Sequence, residues 1–178
     1  MENIIVLYGT SMKEKFVKLY ADIAKRVSEL SYAVRLKVGA IIVKDDRIIS
    51  IGYNGMPSGW DNSCEYTEFM PINDPTAKFQ DYPFIGNFWV SGYSVEKRYR
   101  LKTKPEVLHA ESNALAKLAK SNECGDGADL FITHSPCIEC AKLIYQSGIR
   151  RVYFGTHYRD DAGVKFLEKS GVEVISHG

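Results

Sequence analysis

The chain has 178 residues, and its 23 lysines and arginines are nearly balanced by 22 aspartates and glutamates. A single domain of this length buries enough apolar surface to fold without disulfides. A net charge near zero argues against a polyanionic partner. We therefore expect a small substrate and no nucleic acid.

The cysteines and the apolar segments limit the possible compartments. Two cysteines form a Cys-x-x-Cys pair, while Cys64 and Cys124 stand alone, without the spacing of a disulfide framework. The apolar stretch at 4–8 is too short to cross a bilayer, and no signal-peptide pattern follows it. We expect a soluble, unprocessed, cytoplasmic protein without a membrane partner.

The first part of the chain predicts a helix followed by a β-hairpin. The segment Ser11-Met12-Lys13-Glu14 has the pattern of a capping box. Apolar residues then recur at helical spacing, at Phe16, Leu19, Tyr20, Ile23, Val27 and Leu30. Two β-branched runs at 38–43 and 47–51 are joined by Lys44-Asp45-Asp46, which predicts two antiparallel strands.

The segment from about 56 to 105 breaks this rhythm. It holds five of the six prolines and both tryptophans, Trp60 and Trp89. A structureless loop of this length is unusual, and a disordered one would be poor in aromatic residues. We therefore predict an ordered insertion. Its aromatic side chains either cover the edge of the sheet or line a substrate pocket or a subunit interface.

The rest of the chain alternates between helices and strands. Helices are predicted at 110–119, 137–145 and 162–169, with Gly148 and Gly171 ending the last two. Strands are predicted at 129–133, 151–154 and 172–175. This alternation favours parallel pairing, with helices on both faces of one sheet.

Two short motifs near predicted helix starts supply candidate metal ligands. His109, Cys137 and Cys140 make three, which is the number that a catalytic zinc uses. Cys137 and Cys140, three apart at a helix start, place both sulfurs on one face, where the helix N-terminus stabilises thiolates. Zinc lowers the pKa of bound water to roughly 7, and Glu111 is the candidate base that takes and returns the proton.

Each motif alone has other interpretations. A His-x-Glu triplet is also typical of a helix cap, and a Cys-x-x-Cys pair is also typical of a redox site. The pair also suits half of a structural zinc site, in a non-catalytic module with Cys64 or Cys124 as fourth ligand. The two motifs together, with one strand between them, are typical of a zinc-dependent deaminase of nucleobases.

With these motifs the chain resembles the cytidine and deoxycytidylate deaminase superfamily, from about residue 16 to 175. The resemblance rests on Lys-Val-Gly-Ala at 37–40, Gly-Tyr-Asn-Gly-Met-Pro-Ser-Gly at 52–59, His-Ala-Glu-Ser-Asn-Ala at 109–114 and Ser-Pro-Cys-Ile-Glu-Cys-Ala at 135–141. The glycine-rich segment and the long insertion after it are most similar to the phage-like deoxycytidylate deaminases.

The resemblance implies a three-layer α/β/α fold with a central five-stranded mixed sheet, as one domain over 1–178. It implies hydrolysis of dCMP to dUMP and ammonia, which supplies dUMP for thymidylate synthesis, with one catalytic Zn²⁺ per subunit. It also implies a homohexamer or another homo-oligomer. Activation by dCTP, with Mg²⁺ accompanying the triphosphate, and inhibition by dTTP are expected on the same ground.

The resemblance further implies binding roles for individual residues. Substrate binding falls to Asn54, Asn113, His157 and Tyr158, and effector binding to Tyr53, Gly55, Met56, Gly59, Arg35 and Lys37. Tyr158 also fits the rule that ligands lie beyond the carboxyl ends of sheet strands. Other roles stay open, because Asn-Gly is a common turn, Asn113 also suits helix stabilisation and His157 also suits an exposed loop without a role.

The substrate phosphate has two sets of candidate ligands. Arg35 and Lys37 form one set, and the other recurs at period two just before the His-bearing helix, at Arg98, Arg100, Lys102 and Lys104. If that segment is extended, one of its faces is wholly basic. A solvated sheet edge is the other interpretation of this basic run.

The sequence departs from some relatives at the positions of a second zinc, and it leaves one alternative function open. Some phage-like relatives carry a second, structural zinc, but here 31–34 lacks the first cysteine and no histidine precedes His109, so a second zinc is not expected. The alternative function is a deaminase of a free cytosine nucleoside or base, or of single-stranded nucleic acid. A basic strip with nearby aromatic residues suits the last of these.

Overall fold

The computed structural model describes residues 12–178. Its helices in chain order are α1 (Glu14–Ser28), α2 (Ala110–Leu118), α3 (Ile138–Gln146) and α4 (Ala162–Lys169). Its strands are β1 (Gly39–Lys44), β2 (Arg47–Tyr53), β3 (Glu65–Phe69), β4 (Phe84–Val90), β5 (Tyr93–Thr103), β6 (Asp129–His134), β7 (Arg151–Thr156) and β8 (Glu173–Ser176). No helix of the described part combines the length and the apolar character that a membrane crossing needs.

The start of α1 differs from the predicted capping box. Ser11 and the apolar stretch at 4–8 lie outside the described residues. The N-cap of α1 is Lys13, whose side chain makes no capping hydrogen bond, and Glu14 is the first helical residue rather than the third. The acidic side chain of Glu14 still lies at the positive end of the helix, where it is favourable.

A five-stranded mixed sheet forms the centre, in the order β2-β1-β6-β7-β8. Strand β1 is antiparallel to both β2 and β6, whereas β6, β7 and β8 are mutually parallel. The β1–β2 hairpin turns at Asp45 and Asp46, which adopt φ values of 49° and 57° that aspartate tolerates in tight turns. The predicted hairpin and parallel strands are confirmed.

Alternation along the strands divides the core into two layers. Ile41, Val43, Phe131 and Tyr153 face α1, where they pack against Tyr20, Ala24 and Val27. Their neighbours Ile42, Leu130, Ile132, Val152 and Phe154 face the other side, where they pack against α2, α3 and α4. Because successive side chains of a strand point to opposite faces, both layers come from the same apolar runs. The predicted three-layer α/β/α fold is confirmed.

A buried ion pair joins two parallel strands at their first residues. The Arg151 guanidinium donates to both carboxylate oxygens of Asp129, at 2.8 and 2.9 Å, and both side chains are less than a tenth exposed. Asp129 and Arg151 are also paired in the β6–β7 register. Arg150, which is half exposed, also donates to Asp129, at 3.0 Å. A shifted register would therefore leave the Arg151 charge buried without its partner, which is strongly unfavourable.

The insertion contains a second, three-stranded antiparallel sheet, in the order β3-β5-β4. The insertion is therefore ordered, as predicted, but the sequence patterns did not identify its three strands. Its rings pack on one another, with Phe88 4.7 Å from Phe69 and 5.5 Å from Tyr99 between centroids. Neither core cluster of the main sheet contains them, and Trp89 and Tyr93 are 81% and 76% exposed. A role in a subunit interface stays a prediction.

Candidate active site

The starts of α2 and α3 bring the candidate metal ligands together. His109 is the N-cap of α2 and Cys137 is the N-cap of α3, while Cys140 lies in the first turn of α3. The Nδ1 atom of His109 lies 3.5 Å from the Cys137 sulfur and 3.4 Å from the Cys140 sulfur. All three donor atoms lie within 4.8 Å of one another. Two helix N-termini therefore point at one small volume.

The spacing of these three donors fits zinc. Tetrahedral zinc binds nitrogen at about 2.0 Å and thiolate sulfur at about 2.3 Å, so its nitrogen and sulfur ligands lie about 3.5 Å apart. The two His109–sulfur distances agree with that value. Three protein ligands are typical of a catalytic zinc, which keeps one position open. Within residues 12–178, neither Cys64 nor Cys124 belongs to the group, so a closed four-ligand site is not formed there.

The short distances between these three ligands also shift their pKa values. Hydrogen bonds from Cys140 and His109 lower the pKa of Cys137 to about 3. The hydrogen bond with Cys137 and burial raise the pKa of Cys140, and the hydrogen bond with Cys137 also raises the pKa of His109. Cys137 is therefore a thiolate at neutral pH, and Cys140 holds a proton that a metal would displace.

Glu111 lies in the first turn of α2 and is 4% exposed. Burial raises the pKa of this carboxyl group to about 7, against the opposing charge of His109. A group with a pKa near the working pH both accepts and returns a proton readily. The structure thus places a carboxyl group suited to proton transfer two residues from a metal ligand.

A cavity of about 500 Å³ opens over this centre. Its floor includes His109, Glu111 and Cys137. The walls are formed by residues from the segment before β1, the end of β2, the insertion, the start of α2 and the ends of β6 and β7. These residues are Arg35, Leu36, Val38, Asn54, Glu65, Thr103, Val107, Ala110, His134, Ser135, Thr156, His157, Tyr158 and Arg159. The volume is in the range that small-molecule sites occupy.

Four of the residues predicted for nucleotide binding line this cavity: Asn54, His157, Tyr158 and Arg35. The Asn54 amide also closes the loop before β1, since Oδ1 accepts from the Val38 N–H at 2.7 Å and Nδ2 donates to the Leu36 carbonyl at 2.8 Å. One amide hydrogen and one lone pair remain for a ligand. Asn54 is thus held rigidly at the cavity wall.

The other predicted binding residues do not line the cavity. Asn113 donates from Nδ2 to the Tyr53 carbonyl at 2.8 Å, which ties α2 to β2. Gly55 pairs through its backbone with Leu108, and Met56 packs beside the buried Cys64. Gly59 and Lys37 are exposed. For Asn113 the contacts favour the structural role, and the effector roles of the rest stay predictions.

Sequence reasoning missed several residues of the cavity wall. His134 and Ser135 follow from the end of β6, and Thr156 from the end of β7, so the rule applied to Tyr158 also predicts them. The Ser135 hydroxyl accepts from the Tyr158 N–H at 2.7 Å. Burial lowers the pKa of His134, so its ring is neutral at neutral pH.

The start of α4 is held against the cysteine segment by a close backbone approach. A Cβ at Gly163 would lie 2.0 Å from the Pro136 carbonyl oxygen and 2.8 Å from the Cys137 carbonyl carbon. No other residue type fits there without moving one of the two segments. The segment 157–161 between β7 and α4 is therefore fixed at both ends on residues 135–137.

The basic run before α2 is a strand, as its period of two suggests, but part of its charge is balanced. Arg100 donates from Nη2 to Glu68 at 2.8 Å, and Lys102 lies 3.9 Å from the same carboxylate. Arg98 lies over the Phe79 ring. Arg100 and Lys102 line a second cavity of about 590 Å³, whereas Arg98 and Lys104 line neither cavity.

Comparisons with known proteins agree with this site. Residues 10–156 match the model of the cytidine and deoxycytidylate deaminase zinc-binding region. Deoxycytidylate deaminase of Enterobacteria phage T4 is 37% identical over 167 residues, which cover 87% of this chain and 86% of that protein. Deoxycytidylate deaminase of Mycobacterium phage D29 is 34% identical over 135 residues, with 76% and 90% covered.

A solved structure is similar over nearly the whole chain. The dCMP deaminase of cyanophage S-TIM5, in complex with dCMP and dUMP, superposes with a TM-score of 0.71 at 37% identity, covering 93% of this chain and 99% of that one. Its apo form superposes with a TM-score of 0.66. These matches confirm the predicted enzyme class, a hydrolytic deaminase, and the chain belongs to the cytidine and deoxycytidylate deaminase family.

Proposed function

We propose that this protein deaminates dCMP hydrolytically to dUMP and ammonia, with one zinc held by His109, Cys137 and Cys140. One observation carries the proposal: a His/Cys/Cys group with zinc spacing lies beside the buried Glu111 at the floor of a nucleotide-sized cavity. Support for the substrate comes from the phage relatives and from the cyanophage enzyme, whose structure contains dCMP and dUMP.

The chemistry requires proton transfers that Glu111 is placed to perform. The bound zinc supplies Lewis acidity, which makes water a competent nucleophile at neutral pH. The Glu111 carboxylate takes one proton from the attacking water and delivers it to the ring nitrogen. It then takes the remaining proton from the newly added hydroxyl group and delivers it to the amine, whose bond to the ring carbon breaks. Ammonia leaves as a neutral molecule and the carboxylate is regenerated. Because Glu111 is buried, bulk water does not compete for these protons.

The cavity wall positions the substrate for this attack. The Asn54 side chain is held by two hydrogen bonds to the backbone, and it offers its remaining amide hydrogen and oxygen lone pair to the sugar. Tyr158 lies over the cavity and is itself fixed by its backbone bond to Ser135. His157 contacts Phe154 edge to face at 4.7 Å between centroids, which sets the orientation of its ring. Holding the substrate in one orientation lowers the entropic part of the barrier.

Regulation and assembly belong to the same proposal and rest on the family resemblance. The segment around Tyr53, Gly55, Met56 and Gly59, with Arg35 and Lys37, would bind dCTP as activator, accompanied by Mg²⁺, and dTTP as inhibitor. A homohexamer or another homo-oligomer, a cytoplasmic location and supply of dUMP for thymidylate synthesis follow from the family resemblance. Light scattering with and without each triphosphate, alongside rate measurements, tests the effectors and the assembly together.

The function is tested by zinc analysis and by substrate comparison. We expect about one zinc per subunit, and turnover of dCMP faster than that of deoxycytidine, cytosine or a cytosine-containing oligonucleotide. Faster turnover of the oligonucleotide would instead support the nucleic-acid alternative, for which the basic and aromatic surface of β5 is the suggestive feature. Protein without zinc, or without turnover of any cytosine compound, would refute the proposal.

Substitution of the proton carrier tests the mechanism. Glu111→Gln keeps the size and the polar character of the side chain, but the amide cannot accept the proton. We therefore expect turnover to fall by about 10² to 10⁴. Zinc content should be unchanged. The matched control is Glu139→Gln, which removes an exposed carboxylate inside the Cys-x-x-Cys motif that pairs with Lys142. Equal turnover in the two variants would contradict the role of Glu111.

A further inference from the structure

Strand β4 is an edge of the second sheet, because the strand order is β3-β5-β4. The hairpin that joins β4 to β5 turns at Ser91 and Gly92, which both have a positive φ, as a tight two-residue turn requires. The residues that flank this turn, Val90 and Tyr93, are therefore a hydrogen-bonded pair of the antiparallel ladder. This pair fixes which residues of β4 bond to β5.

The other side of β4 has unpaired backbone groups. Hydrogen-bonded and non-bonded pairs alternate along an antiparallel ladder, and β4 runs against β5 without a bulge. Counting back from Val90, the residues whose N–H and C=O groups point away from β5 are Ile85, Asn87 and Trp89. Within residues 12–178, no third strand or loop backbone bonds to these groups. This side of β4 thus offers three donors and three acceptors to another strand.

The side chains of β4 do not protect this edge. Exposed edge strands usually carry charges or prolines, which hinder pairing with other chains. The other edge strands of the two sheets carry ionisable residues, namely Arg47 in β2, Glu65 and Glu68 in β3 and Glu173 in β8. From Phe84 to Val90, β4 contains neither an ionisable residue nor a proline. Among the edge strands of the described part, β4 is therefore the one suited to pairing.

The sequence of β4 is complementary to itself in an antiparallel arrangement. In a register centred on Asn87, this residue faces its own copy, and Ile85 faces Trp89 of the second copy. These are the residues with outward backbone groups, so every unpaired N–H and C=O of both strands finds a partner. On the other face of the sheet, Phe84 faces Val90 of the second copy. Apolar side chains thus meet apolar ones, and the amide meets an amide.

The side chains that meet in this register are exposed in the single chain. Trp89 is 81% exposed, Ile85 51%, Phe84 43% and Val90 41%. Tyr93, the neighbour of Val90 on β5, is 76% exposed. An aromatic side chain covers about 150 to 250 Å², so the exposed parts of these five amount to about 500 Å² in each copy. Two copies would bury about 1,000 Å², which is what a specific interface needs.

We propose that two copies of this chain pair through β4, antiparallel and centred on Asn87, so that their second sheets form one sheet of six strands. The contact has a twofold axis at Asn87, so it closes after two copies and does not continue into a fibre. The outer edges of the joined sheet are the two β3 strands, which carry Glu65 and Glu68. The inference goes beyond the proposed function, since no residue from 84 to 90 lines the catalytic cavity.

Cysteine cross-linking tests the register. The Cα atoms of a hydrogen-bonded antiparallel pair lie about 5.5 Å apart, which a disulfide spans. Asn87 is exposed, so its replacement is tolerated by the single chain. We expect Asn87→Cys to form a covalent dimer in most chains on mild oxidation, as seen on a non-reducing gel.

The matched control for the cross-link is Glu96→Cys. Glu96 is exposed and pairs with Asn87 on the neighbouring strand β5. In the joined sheet, two copies of residue 96 are three strand spacings apart, about 14 Å, which is too far for a disulfide. The wild type reports the background from the exposed Cys124. We expect neither protein to form the covalent dimer.

Light scattering tests the pairing without a cross-link. Asn87→Pro removes an N–H that β5 does not use and blocks the approach of a second strand. Asn87→Asp keeps the size of the side chain but places two like charges opposite each other at the axis. We expect both variants to have at most half the molar mass of the wild type. Ser94→Asp adds the same charge to β5, one strand away from the edge, and should leave the mass unchanged.

The outcomes separate this inference from the proposed reaction. Covalent dimers from both cysteine variants alike, or from neither, would overturn the pairing, and so would an unchanged molar mass in both Asn87→Pro and Asn87→Asp with zinc content retained. A monomeric wild type would overturn it too, and protection of the Asn87 amide from hydrogen exchange would then show that the chain itself covers β4. Specific cross-linking through Asn87→Cys without turnover of dCMP would refute only the proposed reaction.

Discussion

The packing of β2 on α2 predicts that one added methyl group will disturb the metal site. Gly52 is buried under the helix that carries His109 and Glu111. A Cβ at this position would lie 2.1 Å from the Ala110 carbonyl oxygen and 2.4 Å from the Ala114 nitrogen. Ordinary contact begins at 3.4 Å, so in Gly52→Ala the strand and the helix must separate by about 1 Å.

The cost of this separation follows from the atoms involved. Overpacking costs about 1 to 3 kcal/mol, and the upper end applies here because both contacts are to backbone atoms that cannot rotate away. For a chain of this length, 3 kcal/mol lowers Tm by about 6 to 12 °C. A displacement of about 1 Å at a reacting centre costs about 100-fold in rate, so kcat/KM should fall by that order.

Gly55→Ala is the matched control for stability. Its Cβ would lie 3.8 Å from the nearest atom, a ring carbon of Tyr53, so the methyl group is accommodated. Both substitutions restrict the unfolded chain equally, and the difference in their Tm values isolates the collision. Thermal unfolding with saturating zinc and metal analysis measure the effects. If Gly52→Ala matched Gly55→Ala in Tm and zinc content, the structural account of the β2–α2 contact would be wrong.

Four further predictions concern the core and the metal. Tyr153 is 2% exposed, and its hydroxyl has no hydrogen-bond partner within residues 12–178. Tyr153→Phe should therefore leave the free energy of unfolding unchanged or raise it. In contrast, Tyr20→Phe loses a hydrogen bond to the Asp46 carbonyl and should lower the free energy of unfolding by about 1 kcal/mol. Burial raises the pKa of the Tyr153 hydroxyl in the folded protein. Above about pH 10 the unfolded chain loses this phenolic proton before the folded protein does, so the wild type loses stability there. Urea titrations above this pH should show a smaller loss of stability for Tyr153→Phe. Asp129→Asn should destabilise by about 3 to 5 kcal/mol in denaturant titrations, because it leaves the Arg151 charge buried; an effect below 1 kcal/mol would show that the pair is not buried in solution. Chelation of zinc should lower Tm reversibly, and an unchanged Tm would contradict a metal bound to the folded state alone.

The main sheet was predictable from the sequence because its patterns are strong. Apolar runs of β1, β6 and β7 are buried on both faces, and glycine or turn residues mark the element ends. The metal ligands were predictable because the Cys137–Cys140 spacing and His109 both fall at helix starts. These features depend on short stretches of sequence, which is why they can be seen without the fold.

The second sheet and the cavity mouth were not predictable in the same way. In β5 the cations Arg98, Arg100 and Lys102 alternate with a second face that carries Val95, Tyr99 and Leu101. Lys97 interrupts this apolar face, so the pattern of a half-buried strand is weak. The helix cap predicted at Ser11 was displaced to Lys13. Arg35 and Arg159 are far apart in sequence, and they line the same two cavities because β1 and β7 both flank β6. No local pattern records such a meeting.

The two attachments of the segment 157–161 have an evolutionary consequence. Tyr158 is bonded to Ser135, and Gly163 touches Pro136, so both ends of the segment rest on the residues that carry Cys137. A substitution in this segment that changes which nucleotide enters the cavity will therefore also shift the metal ligands. The opposite wall, built by Arg35 and Thr103, has no such connection in the contacts of either residue. New substrate preferences should therefore arise more readily on the side of the insertion.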